Sequence, residues 1–512
     1  MLRGALGHIR PLVFWPPAAI LVAALVASIV DFSDFLAFAS RINDWILLRL
    51  GPLIGVAAFG AVLLIAGVFF SPLGRVRIGG GGAKPVLGRW HWFAITLCTT
   101  IATGILFWGT AEPIYHLNAP PDFAGAAPRS EAAAEFALST LYMHWAITPY
   151  CLYAVPALAF ALSYHNLKSA YSLSGPLGLS MGPFARGAGA AIIDAAALFA
   201  LVAGVAASLG AGVMTLVGGV VERTPLHDGP LIRLGVTSII VATYVASSVS
   251  GLQRGIKFLS DINIRIFFVL VAFVFIAGPT LQIIRLGVTS AAEYGVEFAP
   301  RSLGLIVGGG DGEWKRDWTT FYFANWLAWA PITALFLGRI AIGYTVREFI
   351  IFTMALPALF GMVWMAIFGG AAIETDLGGG VITAAVRGEG PEAAAYALFN
   401  ALPLSGVIIA AFLFTTFISF VTAMDSNTHS IASVCLDWRT QGDEPKQAGL
   451  GIKIFWGVLI GAVAFVMTAT NGVDGVRMLS NLGGAPGLII IAGCAASLVR
   501  LTMMDKSQLD RD

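Results

Sequence analysis

Twelve stretches of about 20 largely apolar residues run along this 512-residue chain, and about that length is what an α-helix needs to cross a bilayer. They fall near residues 12–30, 48–70, 90–111, 135–163, 188–218, 231–250, 264–284, 318–338, 348–371, 402–424, 451–470 and 479–499. Hydrocarbon offers the backbone no hydrogen-bond partner, so such segments must be helical, and the expected fold is all-α and integral to the membrane. With 57% hydrophobic and 12% charged residues, the chain has about half the charge of a soluble domain. That excludes a soluble enzyme and a disordered scaffold. A net charge of +1 with no basic arm excludes a nucleic-acid partner. The 59 glycines and 24 prolines suit a transporter-like interior, since in membrane helices they permit close packing and local breaks.

An even number of spans puts both termini on one side. Taking that side as cytoplasmic leaves most of the 30 Lys and Arg inside and most of the 29 Asp and Glu outside, as the positive-inside rule requires. The expected location is therefore a bacterial-type inner membrane, crossed many times, with both termini cytoplasmic. The apolar run ending at Val30 lacks a cleavage site and reads as a first span rather than a signal peptide. Cys98, Cys151, Cys435 and Cys494 are far apart, so neither disulfides nor a transition-metal site is expected.

Few motifs carry chemistry. Gly178-Leu179-Ser180-Met181-Gly182 matches a nucleophile elbow, but that pattern has meaning only at a strand-to-helix turn, and here it falls in a loop between spans. No phosphate-binding loop or HExxH is present, so transport must be secondary or passive. Cys98 to Gly104 in the third span is small and hydroxylated. It is either a helix-packing patch or an unwound segment whose free amides and carbonyls face a cavity. In the fourth span Trp145 and Tyr153 share a face with Tyr150 adjacent. In the eighth, Trp326 and Trp329 lie one turn apart before Pro331. Interfacial anchoring explains Trp314 and Trp318, but not Trp145 and Trp329, which lie well inside their apolar runs. Two converging aromatic clusters without an adjacent acid suit a quaternary ammonium held by cation–π contacts.

Several runs together resemble the betaine/choline/carnitine transporter family: Phe107-Trp108-Gly109-Thr110-Ala111-Glu112-Pro113, His144-Trp145, Gly251 to Lys257, Trp326 to Pro331 with Arg339 and Val346 to Ile350, and Phe420 to Ser426. They occur in the family's order from about Trp90 to Asp425. The resemblance implies twelve transmembrane helices, two leading ones (residues 1–85) followed by a 5+5 inverted-repeat core of the LeuT type. Residues 86–300 and 301–500 would be the repeats, and 501–512 a short tail. It also implies a homotrimer and alternating access.

By match, Trp145, Tyr150, Tyr153 and Trp326 would form the substrate's aromatic box, with Asn325 beside it and Trp329 a cytoplasmic-side contact. Tyr150 and Asn325 stand where tryptophan is common. The substrate's acidic group would meet backbone amides around Thr100, Ala102 and Gly104. No organic cofactor is implied. Sodium is the expected coupling ion, at a site matched to Cys98, Ile101, Ser419, Thr422 and Ala423, although Ala423 takes a usual serine position and Val205 a usual threonine. In sodium-independent exchangers of the family an arginine or methionine fills a sodium site; the matching position is Asn263. His144, Asp194 and Asp425 read as structural more readily than as proton carriers. The short tails, unlike the long charged extensions of osmosensing relatives, predict constitutive import. The substrate expected is a small methylated onium zwitterion of the glycine betaine, carnitine, choline or dimethylsulfoniopropionate class, with taurine or sodium-independent exchange as the alternative.

Overall fold

The computed structural model describes residues 9–101, 104–250, 253–304, 311–436 and 449–509. Among them there is no β-strand, only two isolated bridges, Ile9 to Leu436 and Arg77 to Thr345. The protein is an all-α membrane bundle. Among the described residues nine helices are long and apolar enough to span, or eleven when two bent pairs each count as one.

Helix α1 (Pro11–Val30) and α2 (Phe32–Phe70) lead the chain. Asp31 separates them, and its side chain accepts from the Asp34 amide as an N-cap. Helix α2 starts sixteen residues before the apolar run expected at 48–70, because its first turns carry polar residues that hydropathy alone rejects.

The third span is two helices, α3 (Arg89–Ile101) and α4 (Gly104–Asn118), bent by 55°. The fourth, α5 (Glu131–Trp145) and α6 (Ile147–Ala161), breaks at Ala146, whose φ of −97° and ψ of −110° are not helical. Next come α7 (Gly187–Arg223), α8 (Pro230–Ser250), α9 (Gln253–Ala277) and α10 (Thr280–Leu303). The expected span at 264–284 is thereby corrected. Gly278 and Pro279 end α9, and α10 is a separate, charge-bearing helix.

Helix α11 (Phe321–Ile340) bends by 54° at Pro331, where a missing N–H and the ring break the ladder. Helices α12 (Leu356–Gly379), α13 (Ser405–Val434) and α14 (Leu450–Met503) complete the bundle. Within α14, Gly472 has φ 52° and ψ −132°, a left-handed conformation that glycine adopts without a Cβ penalty, so the helix divides there.

Helix α7 runs through the middle, packed on α14, α11, α13 and α1. Close approach is specified by small residues. A Cβ on Gly487 would lie 2.1 Å from the Leu327 carbonyl oxygen and one on Gly484 2.6 Å from that of Ala324, so α14 and α11 touch backbone to backbone. Gly457 and Gly461 face Val245 and Val241 of α8, and that GxxxG pair packs helices within one chain. Only 17% of the apolar window of α8 is buried, which leaves most of its surface for lipid. Asn166 donates to the Arg77 and Leu509 carbonyls, and Arg10 and Leu167 line one cavity. The two described ends of the chain therefore lie at the same end of the bundle.

Candidate substrate site

The three broken spans meet near the middle of the bundle and bring tryptophans together. Trp145 ends α5, and its indole Nε1 donates to Glu112 Oε2 at 2.8 Å. Trp326 donates to the His144 carbonyl at 2.9 Å, satisfying an acceptor beside the break at Ala146. Trp329 donates to the Gly204 carbonyl at 3.0 Å and to Ser208 Oγ at 3.1 Å. With each N–H engaged, the rings are fixed in orientation and only their apolar faces remain for other contacts.

Trp145 and Trp326 meet edge to face, centroids 5.2 Å apart at 89°. Tyr153 meets Trp326 at 5.8 Å and 79°, and Tyr322 meets Trp145 at 5.2 Å and 68°. Beside them is a cavity of about 20 Å³, lined by Gly104, Trp108, Trp145, Ser208, Tyr322, Asn325 and Ser480 among others. Gly104 lies directly under Trp145: a Cβ there would be 2.6 Å from Cη2 of the ring.

The structure thus groups Trp145, Tyr153, Trp326 and Gly104, with Asn325 accepting from Ser480 at 2.9 Å on the cavity wall. Tyr150 is buried, but its hydroxyl lies beside Gly361 of α12, away from the ring contacts of Trp326. Trp329 stands one turn along α11, against α7. The Thr100 hydroxyl donates to the Thr96 carbonyl. Ala102 and the Ile101 side chain lie outside the described residues.

Of the ion-site residues, Cys98 on α3 and Ser419, Thr422 and Ala423 on α13 are buried where these helices pack with α9. Asn263 Nδ2 donates to Ser419 Oγ at 2.8 Å. Thr422 Oγ1 donates to the Ile418 and Ser419 carbonyls, and the Ala423 carbonyl accepts from Asn427. Hydroxyl and carbonyl oxygens are the hard ligands a sodium ion needs; from Cys98 it is the backbone carbonyl that matches the site, and its thiol donates to the Ser260 carbonyl at 3.7 Å. Asp194 is structural: it pairs with Arg10 at 2.6 Å and accepts from Ser172 and Ser174.

Two expectations need correction. The aromatic cluster does have an adjacent acid, because Glu112, fully buried, holds Trp145; helical spacing did not reveal that α4 and α5 lie side by side. Trp318, read as an interfacial anchor, is packed inside the protein. It is buried, with His116 on it at 4.5 Å and the Arg477 guanidinium over it at 4.5 Å. Sequence reasoning also missed Tyr322 and Trp108, although each stands four residues from a named site residue, Trp326 and Gly104, on the same helical face. Ser180 lies on a short helix, Ser174–Met181, rather than in a loop, and donates to the Gly493 carbonyl. With no strand beside it among the described residues, it has no nucleophile-elbow geometry.

The profile of betaine/carnitine/choline family transporters matches residues 12–507. The chain is similar to an ectoine/hydroxyectoine transporter of Virgibacillus pantothenticus, 27% identical over 98% of both chains. It is 31% identical to a betaine/ectoine transporter of Corynebacterium glutamicum, over 92% of this chain and 74% of the relative. It is also 28% identical to a glycine betaine transporter of Bacillus subtilis, over 98% and 96%.

Proposed function

Because the chain belongs to the betaine/carnitine/choline transporter family, we propose that it imports a small onium zwitterion by alternating access, with Trp145, Tyr153 and Trp326 receiving the cationic head. The observation that carries this reading is the anchoring of the Trp145 and Trp326 N–H groups, which dedicates their faces to cation–π contact worth about 0.5–2 kcal/mol each. Similarity to transporters of glycine betaine and of ectoine favours those two substrates. Both carry a dispersed positive charge and a carboxylate. The carboxylate would approach the α3–α4 bend, where the start of a half-helix offers free amides.

The reading includes twelve spans in a 5+5 inverted repeat, within a homotrimer whose termini are cytoplasmic in a bacterial inner membrane. Supporting it, the bends of 55° and 54° fall in the first span of each proposed half, and Gly472 divides α14 into two lengths that can each cross. Sodium would couple at Ser419 and Thr422. A specific contact favours the second reading, sodium-independent exchange: the Asn263 amide already donates to Ser419, placing an N–H where a cation would seek oxygen.

Uptake of labelled glycine betaine, ectoine, carnitine, choline, dimethylsulfoniopropionate and taurine into proteoliposomes, each with and without an inward sodium gradient, tests both. Accumulation that needs sodium and is lost in Thr422→Ala supports symport. Uptake that ignores sodium but rises with preloaded substrate supports exchange. No uptake of any compound defeats the cage assignment.

A further inference from the structure

The Trp145 indole rests on a buried titratable cluster that a carrier of onium compounds does not by itself require. Glu112 and His116 are one turn apart on α4, and His144 comes from α5. Their exposures are 0%, 1% and 0%, and a nitrogen of each histidine and a Glu112 oxygen all lie within 4.8 Å of one another. Glu112 Oε1 is 2.5 Å from His144 Nδ1 and 3.4 Å from His116 Nε2, while Oε2 accepts from Trp145 at 2.8 Å. His144 Nε2 is 3.0 Å from Thr319 Oγ1.

A fully buried carboxylate is tolerated only with a compensating charge or proton. His144, at 2.5 Å, is the group placed to supply it. His116 is different. Its Nε2 faces Glu112, but its Nδ1 is buried without a hydrogen-bond partner, a bare position able to take a second proton. Trp318 at 4.5 Å, Trp314 at 5.2 Å and Phe136 at 6.1 Å surround that ring and offer π faces to an imidazolium. The Arg477 guanidinium lies over the same Trp318 ring, a further positive charge in the surroundings of the cluster.

We propose that His116, with Glu112 and His144, is a proton-binding site linked to the substrate cage through the Trp145 indole, and that proton and substrate cation are antagonists. A proton on His116 makes the cluster cationic. An onium on the Trp145 face brings a second positive charge onto the ring whose N–H that cluster holds. Each therefore weakens the other, and by reciprocity substrate binding releases the proton. The step balances: one proton leaves His116 Nδ1 for water as one onium binds, with no redox partner and no bond made to the substrate.

Other charged or titratable groups face this cluster from the elements around it. Tyr115 is on α4, and Tyr322 on α11 stacks on His144 at 4.6 Å. Arg301 lies over the Phe136 ring and is paired with Glu293. Arg316 and Asp317 precede α11, Arg477 and Asp474 come from α14, Glu392 from the segment after α12, and the Arg129–Asp376 pair lies beyond Asn118. Those with partners are internally compensated. Tyr115 and Tyr322 are neutral at the pH of interest, whereas Glu392 also changes charge in that range, so the comparison of the wild type with His116→Gln is what assigns the transition to His116.

The inference rests on the cage assignment above, and the experiment separates the two. Glycine betaine is titrated calorimetrically into the full-length protein at constant sodium, in phosphate and in Tris. The expected result is a heat that differs between the buffers by the ionisation enthalpy of up to one released proton. Affinity should weaken about tenfold from about pH 7.5 to about pH 5.5, the scale of two like charges interacting across a protein interior. His116→Gln, which keeps a donor towards Glu112, should bind with neither dependence. Equal heats in both buffers with a flat pH profile overturn the proposal, and that measurement needs no variant. If glycine betaine does not bind at any pH, the cage assignment fails. The proton site is then read from tryptophan fluorescence alone: a protonated imidazole quenches the indole it touches. A titration between about pH 5 and 8 that is present in the wild type and absent in His116→Gln supports it, and identical curves refute it.

Discussion

Gly104 is the position where one added methyl group should most clearly separate a cage from a passive aromatic core. In Gly104→Ala the new Cβ would stand 2.6 Å from Cη2 and 2.8 Å from Cζ3 of Trp145, where ordinary contact begins at 3.4 Å. The ring must therefore retreat by about 0.8 Å. Tyr322 and Trp326 hold it at 5.2 Å on other sides, so the displacement falls on the 2.8 Å bond from Nε1 to Glu112. Stretched to about 3.6 Å, that contact ceases to be a hydrogen bond. A hydrogen bond to a charged group contributes about 1.5–3 kcal/mol, which converts to a roughly 10- to 100-fold weaker Kd for glycine betaine. Calorimetry on the purified variant reads the Kd, and gel filtration with a thermal melt confirms folding. Gly60→Ala is the control, since no atom lies within 4 Å of its added Cβ. A folded Gly104→Ala protein that binds with wild-type affinity would refute the claim that Trp145 is a positioned receptor face.

Outside the spans, Glu392, between the short helices Val381–Glu389 and Ala393–Asn400, is buried, and burial pushes its carboxyl up to about 7 from 4.5, with Arg233 opposing in part. Because the folded value is the higher one, the protonated acid favours the folded state, and that stability is lost as pH rises through about 7. Melting curves between about pH 5.5 and about pH 8.5 should therefore fall more steeply in the wild type than in Glu392→Gln; parallel curves would count against it. Asp376, fully buried, pairs with Arg129 at 2.6 Å and also accepts from Thr383. Arg129→Ala should cost about 3 kcal/mol, seen as a lower melting temperature, and an unchanged melt would show the pair to be dispensable. Ser180→Ala removes a hydroxyl bonded to Gly493 and Ser497 and should leave uptake intact while costing about 1 kcal/mol of stability. Loss of transport without unfolding would reopen a chemical role for that serine.

What the sequence conveyed well was whatever depends on one helix at a time. The apolar runs, the break before residue 104 and the bend at Pro331 follow from residue character along a single segment, and so does the pairing of Trp326 with Trp329 on one helix. Contacts between segments were another matter. The bond from Trp145 to Glu112 joins α5 to α4, and no periodicity reports that distance. The same is true of Arg477, whose place over Trp318 depends on how the second part of α14 returns past α11. Helix α10 was missed because its charges dilute an apolar average, and the early turns of α2 for the same reason. Trp145 and Tyr153, expected on one face, do both meet Trp326, although Ala146 breaks the helix between them.

The cage also has an implication for selectivity. Trp145 and Trp326 meet edge to face, and the space beside them, about 20 Å³, is near the size needed for one water. The positive rim of one indole thus occupies the negative face of the next, doing for its neighbour what a cation would do. A guest must displace an internal rival, since an aromatic pair of this geometry contributes about 0.5–1.5 kcal/mol. Compact, strongly hydrated ions gain too little from a π face to open the pair. A bulky, weakly hydrated onium gains more, because it covers several rings at once. Discrimination would then reside in the closed pair itself, which excludes small cations before any contact specific to the substrate is made.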